Sequence, residues 1–109
     1  MKFISSTNDV RKYLGLQSRK NIKFKNISID TRTIKKDSLF IALKGPNFDG
    51  NKFIEKAFSL GAKAVLCSDK SYKKRTNVIY VSSVRSALLK ISSKIASNFQ
   101  GKKILITGS

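Results

Sequence analysis

The sequence has 109 residues, which suits one small domain, and 40% of them are hydrophobic, enough to form a packed core. It contains no histidine and one cysteine, which excludes Cys/His zinc sites, histidine-based catalytic triads and an internal disulfide. The net charge of +17 suits a protein that binds nucleic acid. The lysines are scattered, however, and only residues 70–75 form a cluster, so nucleic-acid binding is the lesser alternative.

The cellular location is inferred from what the sequence lacks. No apolar run approaches the roughly 18 residues of a membrane span, and the first residues lack the apolar core of a signal peptide. We therefore expect a cytoplasmic protein with no membrane partner, and a monomer by default. Cys67 lies in an apolar run, which predicts a buried core residue and not a catalytic thiol.

The first half of the chain predicts a short helix and two strands. A polar residue at positions 6–8 can cap a helix that Gly15 ends. Residues 22–30 alternate apolar and polar with one slip near Asn26, which predicts a strand, or two short strands, with one solvated face. Residues 39–43 are all apolar, which is typical of a strand covered on both faces.

The middle of the chain predicts a helix followed by two more strands. Asp49 can cap a helix over about residues 51–60. Residues 62–68 and 77–83 predict two further strands. The basic segment between them, residues 70–75, is expected to be a solvated loop.

The strongest helical pattern begins at Ser83, where apolar side chains recur every three or four residues as far as Phe99. Gly101 is expected to end this helix, and residues 103–109 predict a last strand. Strands alternating with helices indicate an α/β fold, with a small mixed or partly parallel sheet flanked by helices.

Three short segments carry groups that suit ligand binding. In the first, Asp30, Thr31 and Arg32 offer a carboxylate, a hydroxyl and a guanidinium at the end of a strand, where α/β proteins place ligands. The alternative is an Asp–Arg pair that holds a turn.

The last of the three segments, residues 107–109, has the Thr-Gly-Ser opening of a phosphate-binding loop without its lysine.

The second segment follows the buried strand. Gly45 and Gly50 allow a ligand to approach the backbone closely, Phe48 can stack on a flat ring, and Lys44 can meet a phosphate. The alternative is a glycine-containing connection in which Phe48 packs inward.

Together, in this order and spacing, the segments resemble the N-terminal domain of the Mur ligases, which extend the peptidoglycan stem peptide. The matching motifs are Asp-Thr-Arg at 30–32, Leu-Phe-Ile-Ala-Leu-Lys-Gly at 39–45, Phe-Asp-Gly at 48–50 and Gly-Ala-Lys-Ala at 61–64. The resemblance covers roughly residues 22–109. One departure is Asn51, where family members commonly carry histidine.

The resemblance implies two parts of a larger enzyme. Residues 1–102 would bind the uridine diphosphate end of UDP-N-acetylmuramoyl-peptide, and residues 103–109 would begin the ATP-binding central domain. The residues implied in UDP binding are Thr31, Arg32, Ala42, Leu43, Lys44, Gly45, Phe48, Asp49, Gly50 and Asn51. Those that would open the ATP loop are Thr107, Gly108 and Ser109.

The resemblance also implies ATP and Mg²⁺ for the intact ligase, in which ATP phosphorylates the stem carboxylate and an amine attacks the acyl phosphate. Without the ATP-loop lysine and the central and C-terminal domains, the chain alone is expected to hold no catalytic residue, metal or cofactor. Thr-Gly-Ser and Leu-Lys-Gly favour the branch that adds D-alanyl-D-alanine to UDP-N-acetylmuramoyl-tripeptide. The branch that adds the third stem residue remains the alternative.

Overall fold

The computed structural model describes residues 4–98. The helices are α1 (Thr7–Leu14), α2 (Ile54–Ser59) and α3 (Val84–Asn98). The strands are β1 (Asn26–Ser28), β2 (Ser38–Ile41), β3 (Lys44–Gly45), β4 (Phe48–Asp49), β5 (Ala62–Cys67) and β6 (Val78–Tyr80). Three single turns of 3₁₀ helix span Thr31–Thr33, Gly50–Phe53 and Lys70–Tyr72.

The main sheet has four parallel strands in the order β1-β2-β5-β6, and β3 and β4 form a separate antiparallel hairpin. This arrangement confirms the predicted α/β fold. Because the four strands run in one direction, the segments that follow them emerge at one edge of the sheet, where such folds bind ligands. β1 and β6 are the outer strands and lie at opposite edges of the sheet.

Helices cover both faces of the sheet. On one face, α1 and α3 pack over alternate residues of the central strands, including Leu39, Ile41 and Leu66. On the other face, α2 packs over the intervening residues, including Phe40 and Val65. Every residue of β2 is buried, as predicted for a strand covered on both sides. Cys67 is also buried in this second cluster, which confirms its prediction as a core residue.

The predicted caps of α1 are confirmed, and α3 is capped by Ser83, the residue at which its helical pattern begins. The Ser6 hydroxyl accepts a hydrogen bond from the Asp9 N–H at 3.4 Å. Gly15, with φ of 71°, ends α1 in the left-handed conformation that glycine adopts without strain. At the start of α3, the Ser83 hydroxyl accepts from the Ser86 N–H at 3.2 Å. No helix within residues 4–98 is both long and apolar enough to span a membrane.

Several predicted elements are shorter than expected, among them the strand over 77–83, of which only Val78–Tyr80 form β6, and the apolar run at 39–43, where β2 ends at Ile41. Of residues 22–30, only Asn26–Ser28 form a strand, and Ile27 and Ile29 remain 38% and 47% exposed because β1 is an outer strand. The predicted helix over 51–60 begins as the 3₁₀ turn, because the Asp49 carboxylate accepts from the Asn51 N–H and tightens this first turn. The predicted strand at 103–109 lies outside the described residues, as do Phe99 and Gly101.

Candidate functional site: a cleft at the carboxyl ends of β1 and β2

A cleft of about 620 Å³ opens where β1 and β2 end, beside the start of α2. Three separate parts of the chain line it: the segment after β1, the segment from β2 through the hairpin, and the first turns leading into α2. Its lining residues are Ile29, Asp30, Thr31, Arg32, Phe40, Leu43, Phe48, Phe53 and Lys56. The cleft therefore brings together the first two of the three segments that the sequence singled out.

Asp30 fixes the turn after β1 and orients the guanidinium beside it. Its carboxylate caps the 3₁₀ turn by accepting from the Arg32 N–H at 2.9 Å. The Arg32 side chain donates from Nε to both carboxylate oxygens at 3.1 Å and from Nη2 to Oδ2 at 2.7 Å. The Asp–Arg pair that holds a turn is thus present. It is compatible with ligand binding, because it leaves one edge of the guanidinium open.

The charge state of this pair follows from its hydrogen bonds. The hydrogen bonds from the Arg32 side chain, followed by that from its backbone N–H, hold the pKa of Asp30 below its ordinary value. The hydrogen bond with Asp30 in turn raises the pKa of Arg32. The Arg32 side chain is 85% exposed, and its Nη1 makes no hydrogen bond within residues 4–98. An anion arriving from solvent therefore meets a guanidinium with a fixed direction and an available donor.

The β3–β4 hairpin supplies an aromatic wall. The ring of Phe48 stacks on that of Phe53, with centroids 5.8 Å apart and planes inclined by 12°. Phe48 is 48% exposed, so the alternative in which it packs inward is wrong. Two parallel rings at the mouth of a cleft offer a flat apolar surface of the kind on which a planar heterocycle stacks.

Gly50 lets the hairpin fold back onto the end of β2. Its N–H donates to the Leu43 carbonyl at 2.6 Å. A Cβ at this position would lie 2.8 Å from the Leu43 carbonyl oxygen and 2.9 Å from both the Leu43 nitrogen and the Ala42 Cα. The close approach is therefore between two segments of the same backbone. At Gly45, by contrast, a Cβ would meet nothing within 4 Å.

Asn51 fastens the end of the hairpin to β5. Its Nδ2 donates to the Asp49 carboxylate at 2.9 Å and to the Ser68 hydroxyl at 3.1 Å, and its Oδ1 accepts from the Ser68 N–H at 3.1 Å. The hydrogen bond from the Asn51 side chain lowers the pKa of Asp49. Asn51, which departs from the family motif, holds the wall of the cleft in place from behind.

The ten residues implied in binding divide into two groups. Four line the cleft: Thr31, Arg32, Leu43 and Phe48. The other six build the connection behind it: Ala42, Lys44, Gly45, Asp49, Gly50 and Asn51. Ala42 is fully buried, and its N–H donates to the Leu66 carbonyl at 2.9 Å, so this donor belongs to the sheet.

Four residues that line the cleft are not among those that the sequence motifs indicate: Ile29, Phe40, Phe53 and Lys56. In the predicted helix over residues 51–60, Phe53 shares one apolar face with Ile54, Ala57 and Phe58. Its position just after a glycine turn was the available signal, because a residue in such a turn can face outward. Phe40 and Lys56 gave no comparable signal, since their patterns match an ordinary buried strand and a solvated helix face.

Neither the third segment nor a metal-binding cluster is part of this cleft. Thr107, Gly108 and Ser109 lie outside the described residues. Within residues 4–98, no group of three or more Asp, Glu, Cys or His side chains lies close enough together to hold a metal ion. The ligands that Mg²⁺ prefers are carboxylate and carbonyl oxygens, so this part of the chain does not offer a side-chain set that fits it.

Comparison with known proteins identifies the family. The sequence pattern described as "Mur ligase family, catalytic domain" matches residues 23–99, well over half of the chain. The chain belongs to the Mur ligase family. The match covers both segments that form the cleft, and the sequence resemblance to this family is thereby confirmed.

Curated relatives include both branches of the family. The chain is 42% identical over 77 residues to a UDP-N-acetylmuramoyl-L-alanyl-D-glutamate–2,6-diaminopimelate ligase of Rickettsia prowazekii, covering 71% of this chain and 16% of that protein. It is 37% identical over 110 residues to a UDP-N-acetylmuramoyl-tripeptide–D-alanyl-D-alanine ligase of Buchnera aphidicola, covering 100% of this chain and 24% of that protein. The chain therefore spans a quarter or less of these relatives.

Solved structures agree with the family assignment. The MurF ligase of Thermotoga maritima, solved in complex with ADP, superposes with a TM-score of 0.57 at 26% identity, over 68% of this chain and 17% of that one. A MurF of Acinetobacter baumannii superposes with a TM-score of 0.67 at 19% identity, over 86% of this chain and 21% of that one. At this lower identity the likeness concerns the fold alone.

Proposed function

We propose that this chain binds the uridine diphosphate end of a UDP-N-acetylmuramoyl-peptide within a Mur ligase that synthesises peptidoglycan precursors. The observation that carries the proposal is the cleft after β1 and β2, where an aromatic wall and an oriented guanidinium face one space of about 620 Å³. A nucleoside diphosphate needs both, because its base is flat and its phosphates are anionic. The names of the relatives, which act on UDP-N-acetylmuramoyl substrates, support the same ligand class.

Each lining group has a distinct role in this proposal. The uracil ring stacks on Phe48, whose own ring is backed by Phe53. The diphosphate lies near Arg32, which donates from the guanidinium nitrogen that Asp30 leaves open. Lys56 adds a second positive charge at the cleft, and the Thr31 hydroxyl can donate to a phosphate or ribose oxygen.

The amide-forming chemistry belongs to the intact ligase in this proposal. There ATP, bound with Mg²⁺, would activate the stem carboxylate for attack by an amine, and residues 103–109 would begin the domain that binds it. This chain would bind the nucleotide end of the substrate and fix its direction. A substrate that is held at one end reacts more readily, because the entropy of positioning its reacting group is already lost on binding.

Within the family, we favour addition of D-alanyl-D-alanine to UDP-N-acetylmuramoyl-tripeptide. The Buchnera ligase of that type aligns with the whole chain, and the superposed Thermotoga structure is a MurF ligase. Addition of 2,6-diaminopimelate is the second candidate. It is supported by the Rickettsia ligase, which has the higher identity over a shorter stretch.

Ligand binding is tested by titrating the 109-residue chain with UDP and with UDP-N-acetylmuramoyl-tripeptide, using ¹⁵N-resolved NMR. We expect saturable shifts at Thr31, Arg32 and Phe48. Phe48→Ala should weaken UDP binding by about ten-fold, since the loss of one stacking partner costs on the order of 1–2 kcal/mol. The exposed Lys94→Ala serves as the control and should leave the affinity unchanged. Shifts that avoid the cleft would refute the proposal.

The branch is tested with the enzyme encoded by the complete reading frame. ADP release is measured with UDP-N-acetylmuramoyl-tripeptide plus D-alanyl-D-alanine, and with UDP-N-acetylmuramoyl-dipeptide plus 2,6-diaminopimelate. We expect activity with the first pair and a product whose mass increases by that of the dipeptide less one water. Activity confined to the second pair would replace the favoured branch with the alternative and leave the proposed role of the cleft intact.

A further inference from the structure

A second, smaller pocket lies beside β6, at the opposite end of the sheet from the cleft. Its volume is about 330 Å³, and three basic residues line it: Arg11 from α1, Arg19 from the segment after α1, and Lys73 from the segment before β6. Gln17 and Tyr80, the latter at the end of β6, add neutral polar side chains there. No residue of this pocket belongs to the proposed UDP cleft.

The positive charge in this pocket has no acidic partner within the described chain. The sequence contains six carboxylate side chains, and all of them lie in residues 4–98. Three form ion pairs, which are Arg32–Asp30, Lys63–Asp37 and Arg75–Glu55. The other three, Asp9, Asp49 and Asp69, accept hydrogen bonds from residues two or four positions away. None is left for Arg11, Arg19 or Lys73.

Arg11 is the unusual member of this pocket, because it is only 2% exposed. Its guanidinium donates to the Asn8 side-chain oxygen at 2.9 Å and, at 3.4–3.5 Å, to the backbone carbonyls of Lys20, Thr76 and Val78. Every one of these acceptors is neutral. Burial of a cation without an anion is unfavourable, and structures normally compensate it with a carboxylate or another negative group.

The two other cations are held close to Arg11. The Asn8 side chain accepts from the Arg19 N–H at 3.1 Å and donates to the Arg19 carbonyl at 2.8 Å, which fixes the backbone of Arg19 against α1. The Arg19 side chain reaches the Lys73 carbonyl at 3.4 Å. The Lys73 ammonium lies 5.6 Å from the centre of the Tyr80 ring. The site is therefore arranged before any ligand arrives, which reduces the entropy lost on binding.

We propose that this pocket is a second anion site, which binds a phosphate group of a small molecule between Arg11, Arg19 and Lys73. Three cations together favour a dianion over a single carboxylate, and phosphate groups carry about −1.5 to −2 charges at neutral pH. Arginine forks also match the geometry of phosphate oxygens. The volume exceeds that of one phosphate, so it accommodates the phosphate together with part of the molecule that carries it.

The experiment is a residue-resolved NMR titration of the 109-residue chain with inorganic phosphate and with pyrophosphate, in which each replaces chloride at constant ionic strength. We expect saturable shifts at Arg19, Lys73 and Tyr80, read separately from any shifts in the cleft. Arg19→Gln/Lys73→Gln should weaken this binding by about ten-fold, because two of the three charge contacts with the phosphate are lost.

A matched control removes the same two charges elsewhere. Lys35→Gln/Lys94→Gln changes two exposed lysines remote from the pocket in sequence and should leave the affinity unchanged. Equal losses in both double variants would mean that only net charge matters, and would overturn the proposal. If Arg19→Gln/Lys73→Gln does not fold, Lys73→Gln alone supplies the comparison.

A third arm separates small phosphates from nucleic acid. A short single-stranded oligonucleotide is titrated under the same conditions. Tight oligonucleotide binding that spreads to Lys20, Lys63 and Arg75, which line the neighbouring groove, would replace the small-molecule site with an extended nucleic-acid surface. The absence of saturable shifts with either phosphate would also overturn the proposal.

Discussion

The two ends of the parallel sheet, at β1 and at β6, differ in whether their basic side chains are paired with a carboxylate. At the β1 end, the Arg32 guanidinium is paired with Asp30 and stands beside an aromatic wall. At the β6 end, Arg11, Arg19 and Lys73 have no carboxylate partner among residues 4–98. The first end offers one oriented donor and a flat apolar surface, whereas the second offers a cluster of three positive charges.

This difference indicates how selective each end can be. A site that combines stacking with an oriented donor distinguishes its ligand by shape, because both contacts must be made at once. A site built mainly from three cations favours anions of higher charge, and its binding weakens as salt is added. Arg11 also occupies the outer edge of β6, where its contacts with two carbonyls block the pairing of another strand.

The largest expected effect tests whether the β1 end depends on backbone proximity. Gly50→Ala places a Cβ within 3 Å of three backbone atoms, so the hairpin must move away from β2. We expect the free energy of unfolding in urea to fall by about 2–3 kcal/mol, as for overpacked cores. Gly45→Ala, in the same hairpin, meets nothing within 4 Å and should change it by less than about 0.5 kcal/mol. Similar losses in both variants would contradict this explanation.

The next prediction concerns the β6 end. Arg11→Ala removes the donors that satisfy the Thr76 and Val78 carbonyls and should lower the free energy of unfolding by about 2 kcal/mol. Lys12→Ala, at the adjacent exposed position of α1, should change it by no more than about 0.5 kcal/mol. Both are measured by urea denaturation followed by circular dichroism. If the two variants unfold alike, Arg11 does not stabilise this edge.

Two charge-conserving changes sharpen the comparison between the ends. Arg32→Lys keeps the charge but loses the planar fork, so UDP affinity should fall by about five-fold. Lys73→Arg, at the other end, keeps the charge and still offers N–H donors to a phosphate, so it should leave phosphate affinity unchanged. Isothermal titration calorimetry measures both. The opposite result, with Lys73→Arg the more damaging change, would reverse the assignment of shape recognition to the β1 end.

The smallest expected effect is a change in the titration of Asp30. Its pKa is lowered in the folded protein, chiefly by hydrogen bonds from the Arg32 side chain, so the folded state binds fewer protons there than the unfolded state. The stability that this pair contributes is therefore complete above the ordinary pKa of an aspartate and is lost as the pH falls through the lowered value. In Arg32→Gln, the Asp30 midpoint should rise toward its ordinary value.

Carboxyl-detected NMR measures this midpoint. Asp49 is the internal control, because its pKa is lowered chiefly by the Asn51 side chain and should not respond to a change at position 32. A parallel shift of both carboxylates would indicate a general electrostatic change instead of the loss of one hydrogen-bonded pair.

The sequence by itself determined the local structure and the family. Ser6 and Gly15 bound the first helix as predicted, and residues 39–41 of the apolar run at 39–43 belong to a strand buried on both faces. These features depend on residues that are close together along the chain, so they can be predicted from a single sequence. The motifs from Asp-Thr-Arg to Gly-Ala-Lys-Ala led to the Mur ligases, which the family match confirms.

Only the tertiary structure decided which side chains meet. Phe53 belongs by periodicity to a helix core, yet the turn at Gly50 brings its ring against Phe48. Arg11 and Lys73 are far apart in the sequence and share a pocket because α1 packs beside β6. The spacing of apolar residues along a helix or strand indicates which of its faces is buried, but not which other part of the chain covers that face. Parallel strands, moreover, join residues that are distant along the chain, so the contents of both pockets depended on the fold.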